Sequence, residues 1–152
     1  MTNAKRAANS PSTCRCHGRM RGADCREQTL IDAHIIARGF ARRVRRTFDN
    51  MEVTAEGASK AHAQLGLFDK NILCKTCDQK LGVFDDYAMR MIDRIPGDLL
   101  GSNEHWLLPD VDGDTFAKFI LSVLWRGSIS TLDEYSQVKL GPYSNLARSV
   151  LF

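Results

Sequence analysis

The feature that most constrains this chain is the cysteine pair Cys74-x-x-Cys77. Two thiolates separated by two residues can turn inward on one tight loop and reach tetrahedral positions about 2.3 Å from a zinc ion. The chain has five cysteines and no signal-peptide core, so metal binding explains them better than a disulfide framework. A redox pair and two buried small hydrophobes are the alternative interpretations of Cys74 and Cys77.

The other half of a zinc site must come from the segment 14–25, which offers four candidate ligands. Cys14-x-x-His17 has the spacing of a zinc knuckle, whereas Cys14-x-Cys16 supplies a second thiolate from a tighter turn. His17 is the substitute for Cys16, and Cys25 is the last choice, with an isolated thiol as its alternative interpretation. The predicted ligands are Cys14, Cys16, Cys74 and Cys77. Four protein ligands leave no position open for substrate, so the predicted role of this Zn²⁺ is structural.

The spacing of apolar residues predicts an α+β fold, with short strands in the first half of the chain and helices in the second. The predicted strands are 29–36 and 67–73. The predicted helices are 38–48, for which an extended arm is the alternative, 84–95, 114–124 and 143–151. Asp85 is predicted to cap the second of these helices, and this explains the pair Asp85-Asp86 better than a metal site does.

Composition and length favour one globular domain. Its predicted parts are a disordered tail over 1–13, a zinc-binding core over 14–95 and a helical extension over 96–152, with a mobile connection at 49–66 inside the core. No apolar run approaches the 18 to 20 residues, roughly, that a membrane span needs. We therefore expect a soluble cytoplasmic protein without a membrane partner.

Positive charge is concentrated in the first third of the chain. Residues 1–50 carry 11 Lys and Arg against 4 Asp and Glu, whereas residues 51–152 carry 10 against 14. Five of these cations fall within nine residues: Arg38, Arg42, Arg43, Arg45 and Arg46. Such a cluster predicts a nucleic-acid partner, because guanidinium groups pair with phosphate oxygens, and a solvated helix face is the alternative.

The order of these features resembles the HNH, or His-Me finger, endonucleases. A cysteine knuckle is followed by a strand with a histidine, a connection, a second strand, Cys-x-x-Cys and a helix. The first motif of these enzymes, Asp-His-Ile-x-Pro, corresponds to residues 33–37. This chain keeps the histidine as His34 and has Ala33 where the family has its aspartate.

The second HNH motif, Asn-Leu-x-x-Leu-Cys-x-x-Cys-His, corresponds to residues 69–78. Asp69 stands at the asparagine position and Asp78 at the final histidine. Further similarity to uncharacterised bacterial and phage HNH-like proteins extends the resemblance over residues 14–150. It is carried by the segments 73–82, 84–87, 121–126 and 138–143.

The resemblance implies a zinc-stapled treble-clef, or ββα-metal, core and metal-dependent hydrolysis of phosphodiester bonds in DNA or RNA. In this interpretation His34 activates water, Asp78 holds Mg²⁺ or Mn²⁺, and Asp69 or Asn71 orients the histidine or the phosphate. Asp32, two residues from His34 on the predicted strand, is a candidate replacement for the carboxylate missing at position 33.

The loss of that aspartate also supports a second function class. In it the protein keeps the fold, lacks catalysis, and binds nucleic acid or a protein partner, as a phage-encoded inhibitor would. His34 is then a packed strand residue, and Asp78 caps a turn or the following helix.

Overall fold

The computed structural model describes residues 14–15, 29–47, 52–53, 61–62, 66–95 and 107–152, with the backbone alone for 44–47, 52–53 and 61–62. The fold is α+β and mainly helical. Its strands are β1 (Ala33–His34), β2 (Glu52–Val53), β3 (Ala61–His62) and β4 (Phe68–Asp69). Its helices are α1 (Arg38–Thr47), α2 (Lys75–Asp93), α3 (Gly113–Ile129) and α4 (Ser144–Leu151), with 3₁₀ turns at Asp133–Tyr135 and Gly141–Tyr143. Among these residues, no helix is both long enough and apolar enough to span a bilayer.

The strands form two antiparallel pairs. β1 pairs with β4, placing Ala33 opposite Asp69 and His34 opposite Phe68. Because successive residues of a strand point to opposite faces, the buried side chains of Ala33 and Asp69 share one face of this sheet, and His34 and Phe68 share the other. β2 pairs with β3 inside the connection predicted over 49–66.

The predicted strands 29–36 and 67–73 are correct in location but too long. After β4, the backbone N–H of Asn71 donates to the Asp69 carboxylate at 2.8 Å, and this side-chain turn interrupts the pairing. The two segments meet again at an isolated bridge involving Cys74. The tail predicted over residues 1–13 lies outside the described part of the chain.

Helix α1 confirms the helical interpretation of the basic segment 38–48. Its apolar side rests on the other helices: the Phe40 ring stacks on Phe119 of α3 at 5.4 Å between centroids. A Cβ atom at Gly39 would lie 3.2 Å from the sulfur of Met89 in α2, so glycine permits the close approach of the two helices. Arg38 and Arg42 of this helix are exposed.

Helix α2 begins at Lys75, nine residues before the predicted start at residue 84. Cys74 occupies the N-cap position, so the Cys-x-x-Cys loop is itself the first turn of the helix. The predicted capping role of Asp85 is wrong, because this residue lies in the middle of α2 and its side chain is buried. A tertiary partner, described below, compensates its charge.

Helix α3 continues five residues beyond the predicted end at residue 124. Its start is fixed by Asp112, whose carboxylate accepts a hydrogen bond from the backbone N–H of Thr115 at 3.1 Å. The added residues include three that are buried, Trp125, Arg126 and Gly127.

The buried apolar cluster joins both halves of the sequence. Its members are Cys14, Ala33, Ile35, Ile72, Leu73, Cys74, Cys77, Leu81, Trp125, Ala147 and Leu151. Helix α4, close to the prediction of 143–151, supplies the last two. Trp125 is buried, and its ring meets Phe152 edge-on at 5.4 Å between centroids.

Candidate functional site

Three buried cysteines form a cluster that could hold a metal ion such as zinc. The sulfur atoms of Cys14, Cys74 and Cys77 all lie within 4.8 Å of one another. In a tetrahedral site with Zn–S bonds of about 2.3 Å, the sulfurs are about 3.8 Å apart, so the observed cluster has the right dimensions. Thiolates are also the ligands that structural zinc sites most often use.

The fold brings this cluster together across a separation of 60 residues. The backbone N–H of Arg15 donates to the carbonyl of Ile72 at 2.7 Å, and that of Cys74 donates to the sulfur of Cys14 at 3.2 Å. Cys77 follows in the first turn of α2, where the positive end of the helix dipole stabilises thiolate charge. The segment around Cys14 is thus attached to the start of α2.

Three of the four predicted zinc ligands are therefore adjacent in the structure. Cys16, His17 and Cys25 lie outside the described residues, so the identity of a fourth ligand stays a prediction.

His34 is the last residue of β1 and is half-buried. Its ring lies 5.9 Å from that of Phe68 and is tilted by 52°. Burial lowers the pKa of His34, Asp78 opposes this change, and the positive charges of Arg38 and Arg126 reinforce it. The lowered pKa favours the neutral imidazole, which is the form that can accept a proton.

Asp78 lies in the first turn of α2 and is also half-buried. Burial raises its pKa, the charge of Arg126 counteracts this increase, Asp85 adds to it, and His34 lowers it. His34 and Asp78 thus each influence the pKa of the other, so the two groups lie within electrostatic range of each other. The structure brings together the two side chains for which the resemblance implies the central catalytic roles.

Asp69 does not share a face of the sheet with His34. Its carboxylate is 1% exposed and accepts hydrogen bonds from the hydroxyl of Ser130 at 2.9 Å and from both the backbone N–H and the hydroxyl of Thr131. Burial alone would raise its pKa, but the hydrogen bonds from Thr131, Asn71 and Ser130 outweigh it, and the net pKa is lowered. Asp69 joins β4 to the end of α3.

The orienting role predicted for Asp69 or Asn71 therefore has no support from the geometry. Asp69 lies on the face of the sheet opposite to His34, and the side-chain amide of Asn71 donates to the hydroxyl of Thr131 at 3.2 Å. The reason is the alternation of side chains along a strand, which directs Asp69 toward the core.

The arginines of α1 differ in their surroundings. Arg38 and Arg42 are exposed, and the charge of Arg38 acts on His34. Arg43 is half-buried and forms an ion pair with Asp93 of α2. Arg45 and Arg46 lie on the same helix, and their side chains lie outside the description. Among the α1 arginines whose side chains are described, Arg38 and Arg42 are therefore the exposed ones, and Arg38 acts on His34.

Sequence reasoning missed a buried ion pair behind this site. Arg126 of α3 is 1% exposed, and its guanidinium group binds both carboxylate oxygens of Asp85, at 2.6 and 2.9 Å. The same group donates to the backbone carbonyl of His34 at 3.0 Å. An arginine beside a tryptophan inside an apolar helical segment is a signal that a buried acid must exist elsewhere.

Comparison with protein-family models, curated proteins and solved structures finds no match to this chain. The function must therefore be inferred from the geometry of the cysteine cluster, the pair His34 and Asp78, and the basic helix.

Proposed function

We propose that this protein is a metal-dependent nuclease of the HNH type, in which His34 is the general base and Asp78 holds a divalent cation. The observation that carries the proposal is the arrangement of two half-buried groups, His34 on the paired strand β1 and Asp78 in the first turn of α2, whose charges act on each other. A neutral histidine near a carboxylate in a partly open site can hydrolyse a phosphodiester, with the histidine as base and the carboxylate as ligand of a divalent ion.

The arrangement of elements is consistent with this proposal. A strand bearing the histidine pairs antiparallel with a second strand, and a helix with a carboxylate in its first turn follows. This is the order that the resemblance to a ββα-metal core implies. Cys14, Cys74 and Cys77, with a fourth ligand from residues 16–25, would hold a structural Zn²⁺ that fixes the start of α2 and hence Asp78.

Each described side chain would have a separate task. The His34 imidazole takes a proton from the attacking water, and Asp78 offers the hard oxygen ligand that Mg²⁺ or Mn²⁺ prefers. Such an ion would stabilise the charge that develops on the phosphate. Arg38 and Arg42 would contact neighbouring phosphates of DNA or RNA.

The test is a plasmid-nicking assay with Mg²⁺, Mn²⁺ or Ni²⁺. We expect the wild-type protein to nick DNA and His34→Ala to lose at least about 100-fold in rate, as removal of a general base does. Asp78→Asn should lose activity to a similar degree, whereas Asp86→Asn, which changes an exposed acid of the same helix, should not. Cleavage by His34→Ala at the wild-type rate would overturn the proposal.

One observation favours a second candidate, a binding module without catalysis. Ala33 is fully buried at the position where the HNH motif has its metal-binding aspartate, so this position supplies no ligand. The protein would then bind nucleic acid through α1 and leave it intact. Gel-shift binding by wild-type protein, without cleavage under any of the three metals, would identify this function.

A further inference from the structure

We propose that Arg126 is a positioning residue for the nuclease site, which it aligns by holding the backbone of His34 and the helix that carries Asp78. The proposal rests on the proposed function for its catalytic meaning, and on the hydrogen bonds of Arg126 for its geometry. Arg126 belongs to α3, whereas His34 belongs to β1 and Asp78 to α2. The residue therefore connects three elements.

The hydrogen bonds of Arg126 use its whole guanidinium group. Nη1 donates to Asp85 at 2.9 Å and to the carbonyl of His34 at 3.0 Å. Nη2 donates to Asp85 at 2.6 Å and to the hydroxyl of Ser122 at 3.2 Å, and Nε donates to the carbonyl of Ser122 at 3.3 Å. An arginine has five N–H donors in a fixed plane, and each of them has an acceptor here. The orientation of the group is therefore determined on every side.

Arg126 contacts the main chain of His34, and the position of this main chain determines where the imidazole side chain is attached. Asp85 lies on α2 seven residues after Asp78, about two turns along the same side of the helix. A displacement of the Arg126 plane would therefore change the position of the base relative to the carboxylate. Displacements of about 1 Å at reacting groups can reduce rates by about 100-fold.

A gain in stability alone is a weak explanation for this arrangement. A buried ion pair is often no more stabilising than apolar residues of similar volume, because both charges must be removed from water. Asp85 alone satisfies the charge of Arg126, yet a further N–H is directed to the backbone of His34. Lysine at position 126 would keep the charge but lose the planar set of donors.

The experiment compares Arg126→Lys with Trp125→Phe, which disturbs the packing of the same turn of α3 and leaves the Arg126 hydrogen bonds in place. Both are assayed on plasmid DNA below their unfolding temperatures. We expect Arg126→Lys to lower kcat by about 10- to 100-fold with KM unchanged, and Trp125→Phe to leave both constants near wild type. In NMR spectra, the His34 imidazole and the Ile35 amide should shift in Arg126→Lys and not in Trp125→Phe.

The outcomes separate this inference from the nuclease proposal. If wild-type protein does not cleave, the proposed function fails, and the NMR comparison alone decides whether Arg126 positions His34. If Arg126→Lys folds with wild-type kcat and unchanged His34 signals, the positioning role is wrong. Should Arg126→Lys not fold, Asp85→Asn serves instead, because the amide keeps one acceptor and the shape of the pair. Unchanged His34 signals and kcat in that variant would equally overturn the inference.

Discussion

Two aspartates on either side of Cys74 show how differently this fold uses the same side chain. Asp69 is buried and holds Ser130, Thr131 and Asn71 through hydrogen bonds that lower its pKa. Asp78 is half-buried, and burial and nearby charges, not hydrogen bonds, determine its raised pKa. A carboxylate whose oxygens are all engaged by the protein stabilises architecture, whereas one without such bonds is suited to an external cation.

The largest expected effect is unfolding of the region around the cysteine cluster, which supports both aspartates. If the cysteine cluster holds zinc as proposed, removing the metal with a chelator, or substituting Cys74→Ser, should abolish cooperative unfolding. Structural zinc contributes an apparent free energy of about 10 kcal/mol in small domains, comparable to the whole stability of a protein. Metal analysis and thermal unfolding before and after chelation measure this, and added Zn²⁺ should restore the transition. A metal-free preparation that unfolds cooperatively would show that the cysteines only pack.

The next effect compares the two aspartates directly. Asp69→Ala should reduce the free energy of unfolding by about 3 kcal/mol, because it leaves the buried donors of Thr131 and Ser130 without their acceptor. Asp78→Ala should cost about 1 kcal/mol or less. Urea unfolding of both variants checks this. Equal losses would remove the distinction between an architectural and an available carboxylate.

The pH dependence of the free energy of unfolding in acid tests the same difference between Asp69 and Asp78. The pKa of Asp69 in the folded protein lies below its ordinary value of 3.8, so its contribution is fully present above that value and is lost as the pH falls through the folded-state pKa. We therefore expect the stability of wild-type protein to fall below about pH 4. Asp69→Asn should flatten this part of the curve. An unchanged slope in urea titrations at pH 2 to 5, roughly, would mean that Asp69 has no lowered pKa.

The smallest expected effect concerns the arginines of α1, which also differ in whether the protein itself engages their charge. Arg42 is exposed, whereas Arg43 is paired with Asp93. Arg42→Ala should reduce the slope of log K against log salt for duplex DNA by about 0.9, the value for one phosphate contact. Arg43→Ala should change the slope less. Equal changes, measured by fluorescence anisotropy, would show that the ion pair opens when DNA binds.

The sequence was sufficient for the features that depend on local pattern. The helix α1 is one of the two interpretations that the sequence left open for the basic segment, and the Cys-x-x-Cys spacing correctly indicates a cluster completed by Cys14. The start of α2 could not be found in the same way, because the spacing of Cys74 and Cys77 is compatible with either a loop or a first helical turn.

The remaining differences arise from tertiary partners that no local pattern reveals. Asp85 looks like a helix cap because acidic residues favour helix starts, yet Arg126, 41 residues later, compensates its charge inside the protein. Asp69 looks like a partner of His34 because the HNH motif places an orienting residue there. The register of β1 with β4 directs it to the opposite face.

The most direct test of the central claim is to locate a divalent cation between His34 and Asp78. Mn²⁺ is paramagnetic and broadens NMR signals close to its binding site, so it can be titrated into zinc-loaded protein without any assay of activity. We predict selective broadening of the His34 and Asp78 signals in the wild type and its loss in Asp78→Asn, with Asp86→Asn unchanged. Broadening elsewhere, or equal broadening in Asp78→Asn, would contradict the assignment of this site.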